Sequence, residues 1–175
     1  MSIGEKAPDF NLRSVKEGRK SLKDFDTQLL VVFFTCNHCP YAKAYEGRIK
    51  ELVEEFEDEV SFVGINSNDS DNYPEDSFEN MKKRAKKEEF NFAYLRDETQ
   101  EVAGAYGGEC TPHFFLFDEG RNLVYQGAFD DNWKEPKQVT EEYLKNAILE
   151  LLDGEDVSKP LTNAIGCSIK WKRKQ

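Results

Sequence analysis

The sequence is poor in whatever would take it out of water. No apolar run approaches the roughly 20 residues that a membrane-spanning helix needs. The opening residues, Met1-Ser-Ile-Gly-Glu-Lys-Ala-Pro8, lack a charged-then-apolar leader. The expectation is a cytoplasmic protein with no membrane partner. Basic residues are outnumbered, 24 Lys and Arg against 34 Asp and Glu, for a net charge of -10. Such a surface repels phosphate, so neither nucleic acid nor anionic lipid is an expected partner. The small basic cluster Lys170, Lys172, Arg173 and Lys174 reads as a solvated terminus. Cysteine is scarce. Four in 175 residues cannot form a disulfide scaffold, so a close pair points to catalysis or metal binding.

Aromatic residues are plentiful. Thirteen Phe and seven Tyr supply the burial that a disordered chain lacks. The length suits one domain with its own core, residues 1–175, with residues 155–175 as a C-terminal tail packing on it. Leu29–Phe34 is a continuous apolar run, as expected of a strand covered on both faces. Ala42, Tyr45, Ile49, Leu52, Val53 and Phe56 recur at helical spacing and predict a helix from about Pro40 to Glu57. Val60–Ile65 reads as a second buried strand, followed by a polar loop from Asn68 to Glu75. Asp76 and Glu79 have capping-box spacing, which starts a second helix near Asp76. A short helix follows from Gln100 to Tyr106. His113–Phe117 and Leu123–Tyr125 form a hairpin, and a last helix runs from Thr140 to Leu152 with Gly154 as its cap. Residues before Leu29 add a short hairpin or edge. The order β-α-β-α, short helix, β-β, α predicts a three-layer α/β/α domain with a mixed sheet. The acidic loop Asn68–Asn72 lacks the Gly and terminal Glu of a calcium loop and reads as a solvated turn.

Cys36-Asn37-His38-Cys39-Pro40 joins the first buried strand to the first helix. In open α/β sheets chemistry gathers at the carboxyl ends of strands. Pro40 suits the first helical turn, which puts Cys39 at or next to the N-cap. There the unpaired amides and the helix dipole stabilise a thiolate. Cys36 stands close enough to close a small disulfide ring or to attack a mixed disulfide on Cys39.

This motif resembles the redoxin group of the thioredoxin-fold superfamily, in a peroxiredoxin-like branch related to alkyl hydroperoxide reductase and thiol-specific antioxidant. Gly4–Leu12, Asn66–Asp69, Tyr73–Ser77, Leu95–Gln100, Cys110–Pro112 and Gly166–Trp171 carry the resemblance through most of the chain. It implies a thioredoxin-like fold with an N-terminal redoxin extension. It also implies that Pro112 is the cis proline facing the cysteines, so that Thr111, Pro112, His38 and Pro40 bound the substrate. Cys39-Pro-Tyr-Ala42 is similar to the glutaredoxin Cys-Pro-Tyr-Cys, with Ala42 at the resolving position. Cys39 is then the nucleophile and Cys36 the resolving thiol; the opposite assignment stays open.

A peroxiredoxin needs a Thr where Cys36 stands, a Pro where Val32 stands, and an Arg where Pro112 stands. Those departures favour disulfide exchange over peroxide reduction, with Arg48 and Arg96 as the cations that would have to compensate. Cys110 is an auxiliary candidate, for a disulfide relay, as a third ligand or as a buried cysteine beneath the site; Cys167 is one that either reaches the site through the tail or packs with Ile169 against the core. His38 either lowers a neighbouring thiol pKa when protonated or is a solvent-facing loop residue, and His113 reads as a packed histidine. Three readings follow: a thiol–disulfide oxidoreductase, a thiol peroxidase acting through Cys39, and a thiolate metal or redox sensor built from Cys36, Cys39, Cys110 and a histidine or Cys167. For the first, no metal and no cofactor are expected. Its partners are protein or small-molecule disulfides and a thiol reductant, and it is a monomer or homodimer.

Overall fold

The computed structural model describes residues 1–173; Lys174, the last of the basic cluster, lies outside the described residues together with Gln175. A seven-stranded mixed sheet runs in the order β2-β1-β5-β4-β3-β7-β8. Its centre is three parallel strands, β3 (Leu29–Phe34), β4 (Val60–Asn66) and β5 (Ala93–Arg96). A hairpin of β1 (Asn11–Ser14) and β2 (Arg19–Ser21) extends one edge. β7 (His113–Phe117) and β8 (Leu123–Gly127) extend the other, antiparallel to β3.

Strand alternation divides the apolar side chains between two cores. Leu29, Val31 and Phe33 face α1 (Pro40–Glu55), α2 (Phe78–Lys87) and α4 (Tyr143–Leu152). Leu30, Val32 and Phe34 face α3 (Glu101–Tyr106). The three layers expected from the sequence are present. Phe33 lies at the centre of the first core, with ring centroids 5.2 Å from Phe92 and 5.3 Å from Phe114. Phe33→Ala is expected to cost about 3–5 kcal/mol, read as a fall in the urea midpoint.

Three details differ from the sequence reading. β5 is an additional parallel strand; it is only four residues long and ends on Arg96, too short to show a period. α2 begins at Phe78, capped by Ser77, whose Oγ accepts the Asn80 N–H at 3.2 Å. Asp76 is therefore not its cap. α4 begins at Tyr143, because the Thr140 N–H is bonded to Asp131 at 2.9 Å and holds that residue outside the helix.

The tail returns to the domain. Two short strands, β6 (Cys110–Thr111) and β9 (Cys167–Ser168), pair antiparallel. Ile169 is buried in the second core, whereas Trp171 is exposed. Lys170 anchors the end: its N–H reaches Asn68 Oδ1 at 2.9 Å, and its carbonyl accepts from the Asp69 N–H at 2.8 Å.

Candidate active site

Cys36–Pro40 forms the turn from β3 to α1, at the carboxyl end of the parallel strands. Cys39 is the N-cap in extended backbone, with φ -69° and ψ 128°, and Pro40 opens the helix. The missing N–H of Pro40 costs nothing there. All four cysteines are free thiols. Cys36 is 1% and Cys39 0% exposed.

The two sulfurs are made unequal. Cys36 donates its S–H to Cys39, which holds the Cys39 thiol well below its ordinary range. Burial opposes this; an S–H from Cys167 and the N–H of Ala42 reinforce it. Ala42 makes no close cap bond and acts through the field of the helix terminus. The same hydrogen bond pushes the Cys36 thiol upward, and burial and the Asp76 charge push it further. Cys36 Sγ also lies 3.4 Å from Thr111 Oγ1. The two thiols are thus pushed in opposite directions, Cys39 down and Cys36 up.

Asp76 is the functional residue that sequence reasoning missed, because its spacing to Glu79 mimics a helix cap. It is fully buried. Oδ1 accepts the Asn37 N–H at 2.7 Å and Asn66 Nδ2 at 3.1 Å; Oδ2 accepts Asn68 Nδ2 at 3.0 Å. Tyr94 donates to Asn37 Oδ1 at 2.7 Å. The turn is thereby clamped from beneath. The available signal was the run Asn66-Ser-Asn-Asp69, polar residues directly after a buried strand. His38 stacks on Tyr73, and its Nδ1 comes 2.6 Å from Asp76 Oδ2, too obliquely for a hydrogen bond. His38 thus stands beside Cys36 and Asp76.

Cys36 Sγ, His38 Nδ1 and an Asp76 oxygen lie within 4.8 Å of one another. With Zn–N and Zn–O bonds of about 2 Å, two tetrahedral ligands stand roughly 3.3 Å apart. The His38–Asp76 approach is closer than that, so these groups pack on each other rather than around an ion. The thiolate-rich set expected for a metal sensor is not assembled either. Cys110 Sγ turns to the Pro112 carbonyl at 3.8 Å, and burial pushes its thiol up to about 11.

The opposite wall is the Thr111–Pro112 peptide, which is cis. The Thr111 carbonyl lies 3.5 Å from Cys39 Sγ, a contact in which only the thiol form donates. On β6, Thr111 stands opposite Cys167 and Cys110 opposite Ser168. Gly166 approaches so closely that a Cβ would meet the Thr111 oxygen at 2.1 Å. Cys167 then packs against the cluster of Cys36, Cys39 and Ala42. Burial, followed by its hydrogen bond to Cys39, pushes the Cys167 thiol up to about 11.

The two arginines do not compensate for the missing peroxidase groups. Arg48 is committed to Asp130 at 2.7 Å and to the Asn132 and Trp133 carbonyls, both at 2.8 Å. Arg96 holds the Asn68 carbonyl at 2.7 Å and Glu98 at 2.8 Å. His113 packs on Phe115, and burial lowers its pKa to about 4, so it is neutral at pH 7.

A dithiol turn at the ends of parallel strands, facing the segment before an antiparallel strand, defines a thioredoxin-like redox protein. The sequence profile described as the AhpC/TSA family matches residues 3–126. The chain belongs to that family and is an oxidoreductase of the thioredoxin superfamily. No curated protein matches it. Among solved structures, an uncharacterized conserved protein from Geobacillus kaustophilus is 43% identical, with 99% of this chain and 94% of that one covered and a TM-score of 0.93. A hypothetical protein from Sinorhizobium meliloti 1021 is 36% identical, with 99% and 97% covered and a TM-score of 0.93. A peroxidoxin from Mycobacterium tuberculosis is 21% identical over 72% of this chain and 84% of that one, with a TM-score of 0.60; it shares the fold. No helix among the described residues is long and apolar enough to cross a membrane.

Proposed function

We propose that the protein is a thiol–disulfide oxidoreductase in which Cys39 attacks and Cys36 resolves. The observation that carries this reading is the geometry of the turn: Cys36 and Cys39 pack together at the start of α1, with Cys39 as its N-cap and both sulfurs against Thr111 of the cis Thr111–Pro112 peptide. In that setting the Cys39 thiol is lowered and the Cys36 thiol raised, which suits Cys39 to attack first. The Cys39 thiolate attacks one sulfur of a substrate disulfide and expels the other as a thiolate. A mixed disulfide on Cys39 results. Cys36 loses its proton to the adjacent Asp76–His38 pair and attacks Cys39 Sγ, releasing the second substrate thiolate. The substrate gains two electrons and the protein closes a Cys36–Cys39 disulfide.

Thr111, Pro112, His38 and Pro40 frame the approach. Protein or small-molecule disulfides are the substrates, and an external thiol restores the dithiol. The acting form is a single domain with residues 155–175 packed on it, as monomer or homodimer, in the reducing cytoplasm. Non-reducing peptide mapping after equilibration with a disulfide buffer tests the mechanism. A Cys36–Cys39 disulfide is expected. An oxidised protein whose Cys39 takes part in no disulfide overturns the reading.

Membership of the AhpC/TSA family and the Cys39-Pro40 pair favour a second reading, a thiol peroxidase. It requires sulfenic acid on Cys39 after stoichiometric peroxide, formed far faster than on free cysteine. With Arg48 and Arg96 engaged elsewhere, slow formation is expected.

A further inference from the structure

Three features of the molecule are not absorbed by a two-cysteine mechanism. The first is the tail. β9 lies along β6, the edge immediately before the Thr111–Pro112 bond. The second is its register. Cys167 is the residue opposite Thr111, and Thr111 is the residue whose side chain and carbonyl touch Cys36 and Cys39. The third is the packing. Cys167 is the tail side chain that joins the Cys36, Cys39 and Ala42 cluster, over a nucleophile with no exposure.

This placement is built rather than accidental. The Ile169 N–H bonds to the Glu109 carbonyl at 3.2 Å, and Ile169 fills the second core. Gln100 Nε2 holds the Lys170 carbonyl at 2.9 Å, and Gln100 Oε1 accepts the Lys172 N–H at 2.9 Å. Gly166 makes the closest approach to Thr111, where any side chain would collide with the backbone. The chain is fixed on both sides of Cys167, so the thiol is delivered to Cys39 at little further entropic cost. A cysteine merely filling space needs no such register.

From this we infer that Cys167 is a third redox-active thiol, able to resolve the mixed disulfide on Cys39 by forming an intramolecular Cys39–Cys167 disulfide. The inference rests on Cys39 being the nucleophile. The step balances. After Cys39 has taken one half of a substrate disulfide, the Cys167 thiol loses its proton to water and its sulfur attacks Cys39 Sγ. The Cys39–substrate bond breaks and the substrate half departs as thiolate. Two cysteine sulfurs of the protein are oxidised by one bond, and the substrate disulfide is reduced to two thiols. Cys36 then attacks Cys39 Sγ, frees Cys167 as thiolate and leaves the Cys36–Cys39 disulfide. Cys167 is thus an intermediate holder of the bond, and its strand is tied over the site while it holds it.

The test uses the full chain with Cys110→Ser as background and an aromatic disulfide, 5,5′-dithiobis(2-nitrobenzoate), as probe. In Cys36→Ser, attack by Cys39 releases one equivalent of coloured thiolate. Resolution by Cys167 then releases a second, and mapping finds a Cys39–Cys167 linked peptide. In Cys36→Ser with Cys167→Ser, or with Cys167→Ala as a check on folding, release stops at one equivalent and the adduct on Cys39 persists at least about tenfold longer. If the Cys36→Ser adduct persists equally with and without Cys167, the inference falls while Cys39 remains the nucleophile. If no adduct forms on Cys39 in any variant, the proposed function falls as well.

Discussion

Cys39→Ser is expected to abolish disulfide reduction, lowering the rate roughly a thousandfold or more. A hydroxyl in the same place is not ionised near neutral pH and cannot enter a mixed disulfide. The wild-type pH profile supplies the sharper test. An ordinary thiol with a pKa of about 8.5 loses thiolate several hundredfold between about pH 8.5 and pH 5.5. Cys39, held well below that range by the Cys36 hydrogen bond, stays ionised across the whole interval. Its alkylation by iodoacetamide should therefore be flat through neutrality and decline only in acid. The absolute rate will be modest, because the sulfur is covered. Cys36→Ala should restore a sloping profile by removing the donor. A wild-type rate that rises steeply through pH 8 would mean that Cys39 carries a proton at rest.

The second large effect lies beneath the motif. Asp76→Ala leaves three buried donors, the Asn37 N–H, Asn66 Nδ2 and Asn68 Nδ2, without their acceptor. Unpaired groups of this kind sum to about 3–5 kcal/mol, measurable as a lower urea midpoint. Asp76→Asn preserves the shape but removes the charge. The negative charge of Asp76 is among the influences that raise the Cys36 thiol, so Asp76→Asn should bring the Cys36 pKa down. Cys36 then competes with Cys39 for alkylation at a pH where the wild type modifies Cys39 alone. Unchanged partition in a folded Asp76→Asn protein would show that the carboxylate is structural only.

These two residues mark how far the sequence was legible. The Cys36–Cys39 turn could be found because it is local: a strand, a turn, a proline and a helix lie within one stretch of chain. The layers were equally readable, since Leu29–Phe34 and the spacing of Ala42, Tyr45 and Ile49 report their own faces. Asp76 was not readable. Its partners come from the Cys36–Pro40 turn and the end of β4, and no local pattern says that a carboxylate after a polar loop will be buried. Arg48 failed in the same way. It reads in the sequence as a cation that could compensate for missing peroxidase groups, but Asp130 and two carbonyls far downstream claim it. From the sequence Cys167 is either an auxiliary thiol or a packing residue; what separates the two is the register with Thr111, which only the folded sheet fixes.

The pairing of β9 with β6 also has a consequence in time. Protein chains emerge and begin to fold from the N-terminus. Cys36 and Cys39 are therefore made well before β9, the strand that brings Cys167 against them. Until then the turn has Thr111 beside it but lacks Cys167. Only when synthesis passes Cys167 and Ile169 does that sulfur reach its place. Any truncation short of Gly166 would fix the protein at that earlier stage, without β9 and without a third sulfur against the turn.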